Sequence, residues 1–231
     1  MGKIENLDFK KNSLRKINSF LQNINHKYNK RDFVVKNPAG QHAICAGLKE
    51  EMTVTVKGHV GYYCGGMNKK SHITIEGNAG TGLGENMMSG IIHVKGNVSQ
   101  SAGATAHGGT IIIDGNASSR CGISMKGAEI IVRGSVGHMS AFMAQSGTLL
   151  ICGDAGDALG DSIYETVIYI AGNPKSLGVD CVEKKITSKD LKKIEELLKK
   201  GNIKKLKPKN FRKFGSARKL YNFNIDNVSE Y

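Results

Sequence analysis

The chain has 231 residues, enough for one large domain or two small ones, and a formal net charge of +13. Glycine occurs 29 times, whereas proline occurs three times and tryptophan is absent, which argues against a low-complexity linker. We find no secretory leader and no apolar run of membrane-spanning length, so we expect a cytoplasmic protein with reduced thiols.

The first predicted element is a short helix near the N-terminus. Leu14, Ile17, Leu21 and Ile24 recur at helical spacing and give this basic segment one apolar face. We therefore assign residues 1–32 to a helical cap on one end of the fold that follows.

Residues 33–181 contain a repeat of nineteen residues, which decides the predicted fold. Each copy has a short strand, with apolar residues two positions apart, that ends on a glycine. The glycines keep an unbroken register: Gly58, Gly77, Gly96, Gly115, Gly134, Gly153 and Gly172. Such a strand buries its apolar face only when like rungs stack on it. The pattern therefore predicts an all-β protein, a right-handed parallel β-helix of about seven nineteen-residue rungs.

Two glycine columns are predicted to turn the corners of the coil. Glycine reaches positive φ without a steric penalty, so we expect the column that ends the strands to use this freedom. The residue after it is mostly Asn, which is expected either to tolerate the left-handed αL conformation or to bond to the local backbone. A second corner column reads Gly65, Gly84, Gly103, Gly122, Ala141 and Gly160. Cys45, Cys64 and Cys121 share a column with small and aliphatic residues and are predicted to be buried.

One outward-facing column changes character along the coil. It begins with Thr55, Thr74 and His93 and then becomes apolar. The apolar members form a candidate interface: Ile112, Ile131, Leu150 and Tyr169. An exposed apolar stripe needs a cover. Two covers stay open, the C-terminal helix of the same chain or another subunit.

Residues 182–231 form a basic C-terminal extension. Thr187 or Ser188 is predicted to cap a helix that ends at Gly201, and from Pro208 onwards we expect an irregular tail. A basic extension suits nucleic acid or an acidic partner. Because it lacks the interleaved aromatic residues of a stacking platform, a solvated lysine-rich surface is the favoured interpretation, and nucleic-acid binding is not expected.

No motif supports a catalytic, cofactor-binding or metal site in this chain. Gly80, Gly82 and Gly84 alternate, but Met87 stands where a dinucleotide-binding loop needs its last glycine. The five cysteines form no C-x-x-C pair, and the seven histidines lack zinc-ligand spacing. We predict none of the three kinds of site.

Several segments resemble the GXGXG domain family, the β-helix found as the C-terminal domain of glutamate synthase large subunits. Among them are HVGYYCGGMNKK (59–70), GNAGTGLGENMMSG (77–90), SSRCGISMKGAE (118–129) and the tail FRKFGSARKLYNFNIDN (211–227). The likeness is greatest to the free-standing counterpart of this domain, a separate subunit in N-methylglutamate synthase and archaeal-type glutamate synthases.

This resemblance implies two partners, a glutamine amidotransferase subunit and an FMN-binding glutamate synthase subunit that also uses iron–sulfur clusters. It implies that this chain is a non-catalytic scaffold, with no cofactor of its own, in a complex that makes glutamate or N-methylglutamate. Two alternatives stay open. One is the β-helix subunit of a formylmethanofuran dehydrogenase, which shares the rungs, and the other is a stand-alone binding module with a basic tail.

Overall fold

A computed structural model describes residues 7–24 and 31–218, and most of this part is a parallel-strand β-solenoid of about seven turns. The coil strands are β2 (Asp32–Lys36), β3 (Thr53–Lys57), β4 (His72–Ile75), β5 (Ile91–Val94), β6 (Thr110–Ile113), β7 (Lys126–Val132), β8 (Ser146–Ile151) and β9 (Val167–Ile170). The remaining elements are β1 (Leu7–Asp8), α1 (Leu14–Gln22), β10 (Cys181–Lys184), α2 (Ser188–Lys200), a 3-10 turn (Pro208–Asn210) and β11 (Arg212–Ser216).

The strands join one sheet in the order β1-β2-β3-β4-β5-β6-β7-β8-β9-β11-β10. Within the coil each strand pairs in parallel with the next one along the chain. Val54, for example, lies beside Ile73, and Ile73 beside Ile92. All three side chains are fully buried. Since burying one such side chain stabilises a fold by about 1.5–3 kcal/mol, the stacked aliphatic columns supply the main driving force for the coil.

A second stack of small apolar residues follows the first bend of each rung. Isolated parallel bridges join them in one column: Val60, Ala79, Val98, Ala117, Val136, Ala155 and Pro174. Cys45, Cys64 and Cys121 are buried in the core of the coil, as predicted, and none of them is bonded to another cysteine.

The two glycine columns serve different purposes. The second corner column has positive φ throughout, from 63° at Gly84 to 72° at Gly122, and Ala141 adopts 58° in the same column. That prediction is confirmed. In the first column only Gly58 has positive φ (133°), so the expected reason is wrong for the other six.

Close stacking explains the first glycine column instead. A Cβ added at Gly77 would lie 2.6 Å from the carbonyl carbon of Gly58 on the preceding rung. A Cβ added at Gly115 would overlap Oδ1 of Asn97. Both approaches are closer than any real Cβ contact, so glycine is required because the rungs approach each other closely at this bend.

Helix α1 closes the N-terminal end of the coil. The Ser13 side chain caps the helix, because its hydroxyl oxygen accepts a hydrogen bond from the amide of Lys16. Ile17 and Leu21 are fully buried in the core. The Asn18 side chain satisfies the coil backbone, since its Nδ2 donates to the Ala43 carbonyl at 2.8 Å and its Oδ1 accepts from the Cys45 amide at 3.0 Å.

The predicted irregular tail is wrong for residues 208–216. After the 3-10 turn, β11 inserts between β9 and β10 and pairs antiparallel with both. The physical reason is the free edge of the last coil strand, whose amide and carbonyl groups need partners. Residues 219–231, the rest of that predicted tail, lie outside the described residues. Neither helix in the described part of the chain has the length and apolar character needed to cross a bilayer.

Candidate interaction surfaces

The predicted interface stripe lies under the chain's own C-terminal helix. Ile131 and Leu150 are fully buried, and Ile112 and Tyr169 are 7% and 3% exposed. They form a second core with residues of the C-terminal extension: Ile194, Leu197, Leu198 and Phe211. Of the two covers that the sequence left open, α2 occupies the stripe, so these four residues are not a free surface in this structure.

A buried carboxylate fastens this cover to the coil. Asp190 Oδ1 accepts hydrogen bonds from the Tyr169 hydroxyl at 2.6 Å and from Lys213 Nζ at 2.9 Å. Its Oδ2 accepts the amide and the hydroxyl of Thr187, the N-cap of α2, at 2.8 and 2.6 Å. Burial alone would raise the pKa of Asp190, but these donors outweigh it and hold the pKa well below its ordinary value. One side chain therefore joins β9, β11 and the start of α2.

The other end of α2 is held by charges on β7 and on the bend that follows it. Glu129 accepts hydrogen bonds from Lys193 and Lys200, and Arg133 donates to the carbonyl of Gly201 at the end of the helix. Burial by itself raises the pKa of Glu129, yet the two lysines hold it below its ordinary value. A cation at the helix C-terminus also suits the helix dipole.

An inter-rung ladder of polar side chains runs along the first bend. The side chain of each column member accepts the amide of the equivalent residue one rung later, as Asn78 does for Asn97 at 2.8 Å. The ladder contains His59, Asn78, Asn97, Asn116, Ser135, Asp154 and Asn173. Arg212 then donates to Oδ1 of Asn173 at 3.0 Å. We expected local backbone bonds from the sequence and missed this ladder, although its nineteen-residue spacing was visible.

An exposed aromatic patch, defined as His42, Tyr62 and Tyr63, spans two adjacent rungs, with His42 in the connection after β2 and the two tyrosines in the connection after β3. The rings of His42 and Tyr62 stack with centroids 4.5 Å apart, and Tyr62 meets Tyr63 edge to face at 6.5 Å. The two tyrosines are 51% and 50% exposed. Large exposed aromatic side chains of this kind are typical of protein–protein contact surfaces.

Glycines on the next rung make room for this aromatic patch. A Cβ at Gly80 would lie 2.9 Å from Cδ1 of Tyr62, and one at Gly82 would lie 2.7 Å from Cδ1 of Tyr63. Tyr63 also has a φ of 58°, a strained conformation for a bulky residue. The rings are therefore held against the coil. We did not predict the patch, and its only signal in the sequence was the adjacent pair of tyrosines before alternating glycines.

Burial favours the neutral form of the cysteine thiols. Burial raises the pKa of the Cys45 and Cys121 thiols to about 12 and that of Cys152 to about 11, which disfavours the reactive thiolate. Among residues 7–24 and 31–218, no three His, Cys, Asp or Glu side chains are grouped closely enough to hold a metal ion.

The chain is similar to known proteins over nearly its whole length. A family model described as "GXGXG motif" matches residues 15–225. A curated relative, "Protein GlxC" of Rhizobium meliloti (strain 1021), is 56% identical over 225 residues, which cover 97% of this chain and 99% of the relative. The similarity thus extends over the coil, its N-terminal helix and the C-terminal extension together.

Proposed function

The chain belongs to the GXGXG motif family, and on this premise we propose that it is a non-catalytic subunit of a glutamate-synthase-type complex. In this proposal it positions a glutamine amidotransferase subunit against an FMN-binding synthase subunit. FMN and iron–sulfur clusters belong to the partners, and the product is glutamate or N-methylglutamate. We also propose a cytoplasmic location and, for the coil, a right-handed winding in seven nineteen-residue rungs, since parallel crossovers are almost always right-handed.

The observation that carries this proposal is a rigid coil with a rigidly held contact surface. Every strand from β3 to β8 is hydrogen-bonded on both sides, so points along the coil keep a fixed separation. Stacked rungs are spaced by about 4.8 Å each. The aromatic patch offers a partner a surface that loses little conformational freedom on binding. A subunit with these properties is suited to holding the active sites of two partners at a fixed separation.

The decisive experiment is the isolation of a tagged full-length chain from its native organism. We expect an amidotransferase and a yellow flavoprotein to co-purify with it, and the eluate to convert glutamine and a 2-oxo acid into product. A scaffold role further predicts that removing this chain abolishes glutamine-dependent synthesis while the flavoprotein still uses free ammonia. Recovery of the chain alone and colourless contradicts the proposal, and so does loss of both activities together.

The aromatic patch is the first contact to test within that complex. We expect the double substitution Tyr62→Ser and Tyr63→Asn to lower partner recovery about tenfold, because aromatic anchors dominate interface energetics. Asn is chosen at position 63 because it tolerates positive φ. The matched control is Val179→Ser, which removes an apolar side chain that is 64% exposed near the C-terminal end of the coil. Equal recovery with both variants excludes the patch as a contact.

A further inference from the structure

A groove lies between the C-terminal part of α2 and the segment that follows the helix. After Gly201 the backbone of Asn202 adopts a φ of 48°, and the segment 203–208 then packs beside the helix. The space between them has a volume of about 630 Å³. Its aliphatic lining includes Leu198, which is buried, and Leu206 and Pro208, which are half-buried.

Exposed lysines surround this aliphatic lining. Lys199, Lys204 and Lys207 border the groove and are exposed to solvent. Lys199 pairs with Glu195 at 3.0 Å, but Lys204 and Lys207 have no carboxylate partner anywhere in the described part of the chain. Residues 202–209 contain four lysines and no acidic residue. The groove therefore combines apolar surface with uncompensated positive charge.

We propose that this groove receives an acidic, amphipathic segment of a partner protein. Aliphatic or aromatic side chains of that segment fill the apolar lining, and its carboxylates pair with Lys204 and Lys207. The inference rests on the proposed function, because the segment belongs to one of the partner subunits of that complex. Charge complementarity fixes the orientation of such a segment and speeds its association.

The chemistry of the groove favours a protein over a nucleic acid. Its apolar lining residues are Leu, Ile and Pro, and no aromatic ring on which a base could stack lines it. An acidic peptide satisfies the apolar lining and the lysines together, whereas a nucleic acid satisfies only the lysines.

The test uses the complex purified from the native organism and compares two double variants of equal charge change. Lys204→Glu with Lys207→Glu reverses the charge of the groove. Lys69→Glu with Lys70→Glu reverses two adjacent exposed lysines on the first turns of the coil. We expect the groove variant to release one partner subunit, with binding about tenfold weaker, and the control to retain it. A zero-length carbodiimide cross-link from Lys204 or Lys207 to a carboxylate of that partner identifies the segment.

Several outcomes overturn this inference. If the groove variant retains every partner with unchanged affinity, the groove is not a contact, while the proposed function stands. If the groove variant instead loses a salt-sensitive affinity for DNA or RNA that the control keeps, the ligand is a nucleic acid. If even the wild-type chain is recovered without partners, the proposed function fails and this inference fails with it. Melting temperatures of both variants, expected within a few degrees of wild type, exclude misfolding as the cause.

Discussion

The outer face of the sheet has two halves that share one strand geometry but differ in what covers them. In the first half the outward column reads Thr55, Thr74 and His93, and no described element packs over it. In the second half the same column is aliphatic or aromatic and lies beneath α2. The coil itself is continuous through both halves. The outward side chains therefore decide where the C-terminal extension docks, whereas the inward ones decide that a coil forms.

The ion pairs beside the two halves also differ, because a pair in the first half is exposed and those of Glu129 in the second half are partly buried. In the first half Lys57 pairs with Glu76 at 2.6 Å, and both side chains are more than 40% exposed. In the second half Glu129 is only 18% exposed and holds two lysines of α2. Exposed ion pairs contribute little because water and salt screen them, while partly buried ones are screened much less. We therefore expect equivalent mutations in the two halves to change the stability of the protein by clearly different amounts.

The largest expected difference comes from placing a carboxylate in each half. Ile131→Asp puts an unpaired charge beneath α2 and removes a buried side chain, so we expect a loss of about 4 kcal/mol of unfolding free energy. Thermal unfolding then shifts down by about 10 °C. The control Thr74→Asp occupies the same column in the uncovered half and is expected to change stability by less than about 0.5 kcal/mol. Similar shifts in the two variants contradict the division into halves.

Removing the buried carboxylate should detach the cover while the coil persists. Asp190→Ala leaves Lys213 and the Tyr169 hydroxyl without their acceptor and removes the capping box, so we expect a cost of about 3 kcal/mol. Hydrogen exchange should accelerate in α2 and β11 before it does so in β3 to β6. Glu195→Ala, which breaks an exposed pair in the same helix, serves as the control at about 0.5 kcal/mol or less. Uniform exchange along the chain argues against a separable cover.

Acidification should remove the stabilising effect of the Asp190 carboxylate without a mutation. The pKa of Asp190 is lower in the folded chain than in the unfolded one, so its stabilising effect is complete above the unfolded value of about 3.9. It is lost as the pH falls below that value towards the folded pKa. We expect the stability difference between wild type and Asp190→Ala to be constant from pH 7 to 5 and to shrink below pH 4. A difference that stays constant to pH 3 shows that the charge of Asp190 is not what stabilises the cover.

The smallest expected effect is the difference in stability cost between breaking the ion pairs of Glu129 and breaking that of Glu76. Glu129→Gln should cost about 1–2 kcal/mol, because Lys193 and Lys200 lose a partly buried partner. Glu76→Gln should cost about 0.3 kcal/mol and become undetectable in 1 M salt. Equal costs at both positions, measured by urea denaturation, mean that burial does not distinguish these pairs.

Most of the coil could be predicted from the sequence because a repeat multiplies each local signal. Val54 and Ile73 look alike in sequence and prove to be neighbours in space, so one strand pattern predicts the next. The repeat also located the buried cysteines, whereas α1 was located by the helical spacing of its apolar residues and α2 by its capping and terminating residues. It could not find the stacking role of Gly77, since a close approach between two backbones has no sequence signature other than the glycine.

The parts that the sequence did not reveal all depend on contacts between distant residues. The aromatic patch requires His42 to meet Tyr62 across a rung, and the fastening of the cover requires Tyr169, Asp190 and Lys213 to converge. The pairing of β11 with β9 depends on where the coil happens to end. None of these contacts follows from a local period.

The sequence by itself determined that this protein is a stacked solenoid, because alternating apolar residues at a constant spacing can bury their faces in few other ways. It also determined which outward column needs a cover. Only the tertiary structure decided that the cover is the chain's own helix rather than another subunit. It likewise decided that an antiparallel strand closes the last rung. The physical reason is that local spacing specifies what each rung must bury, whereas the choice among possible covers depends on which segment the chain can bring to that surface.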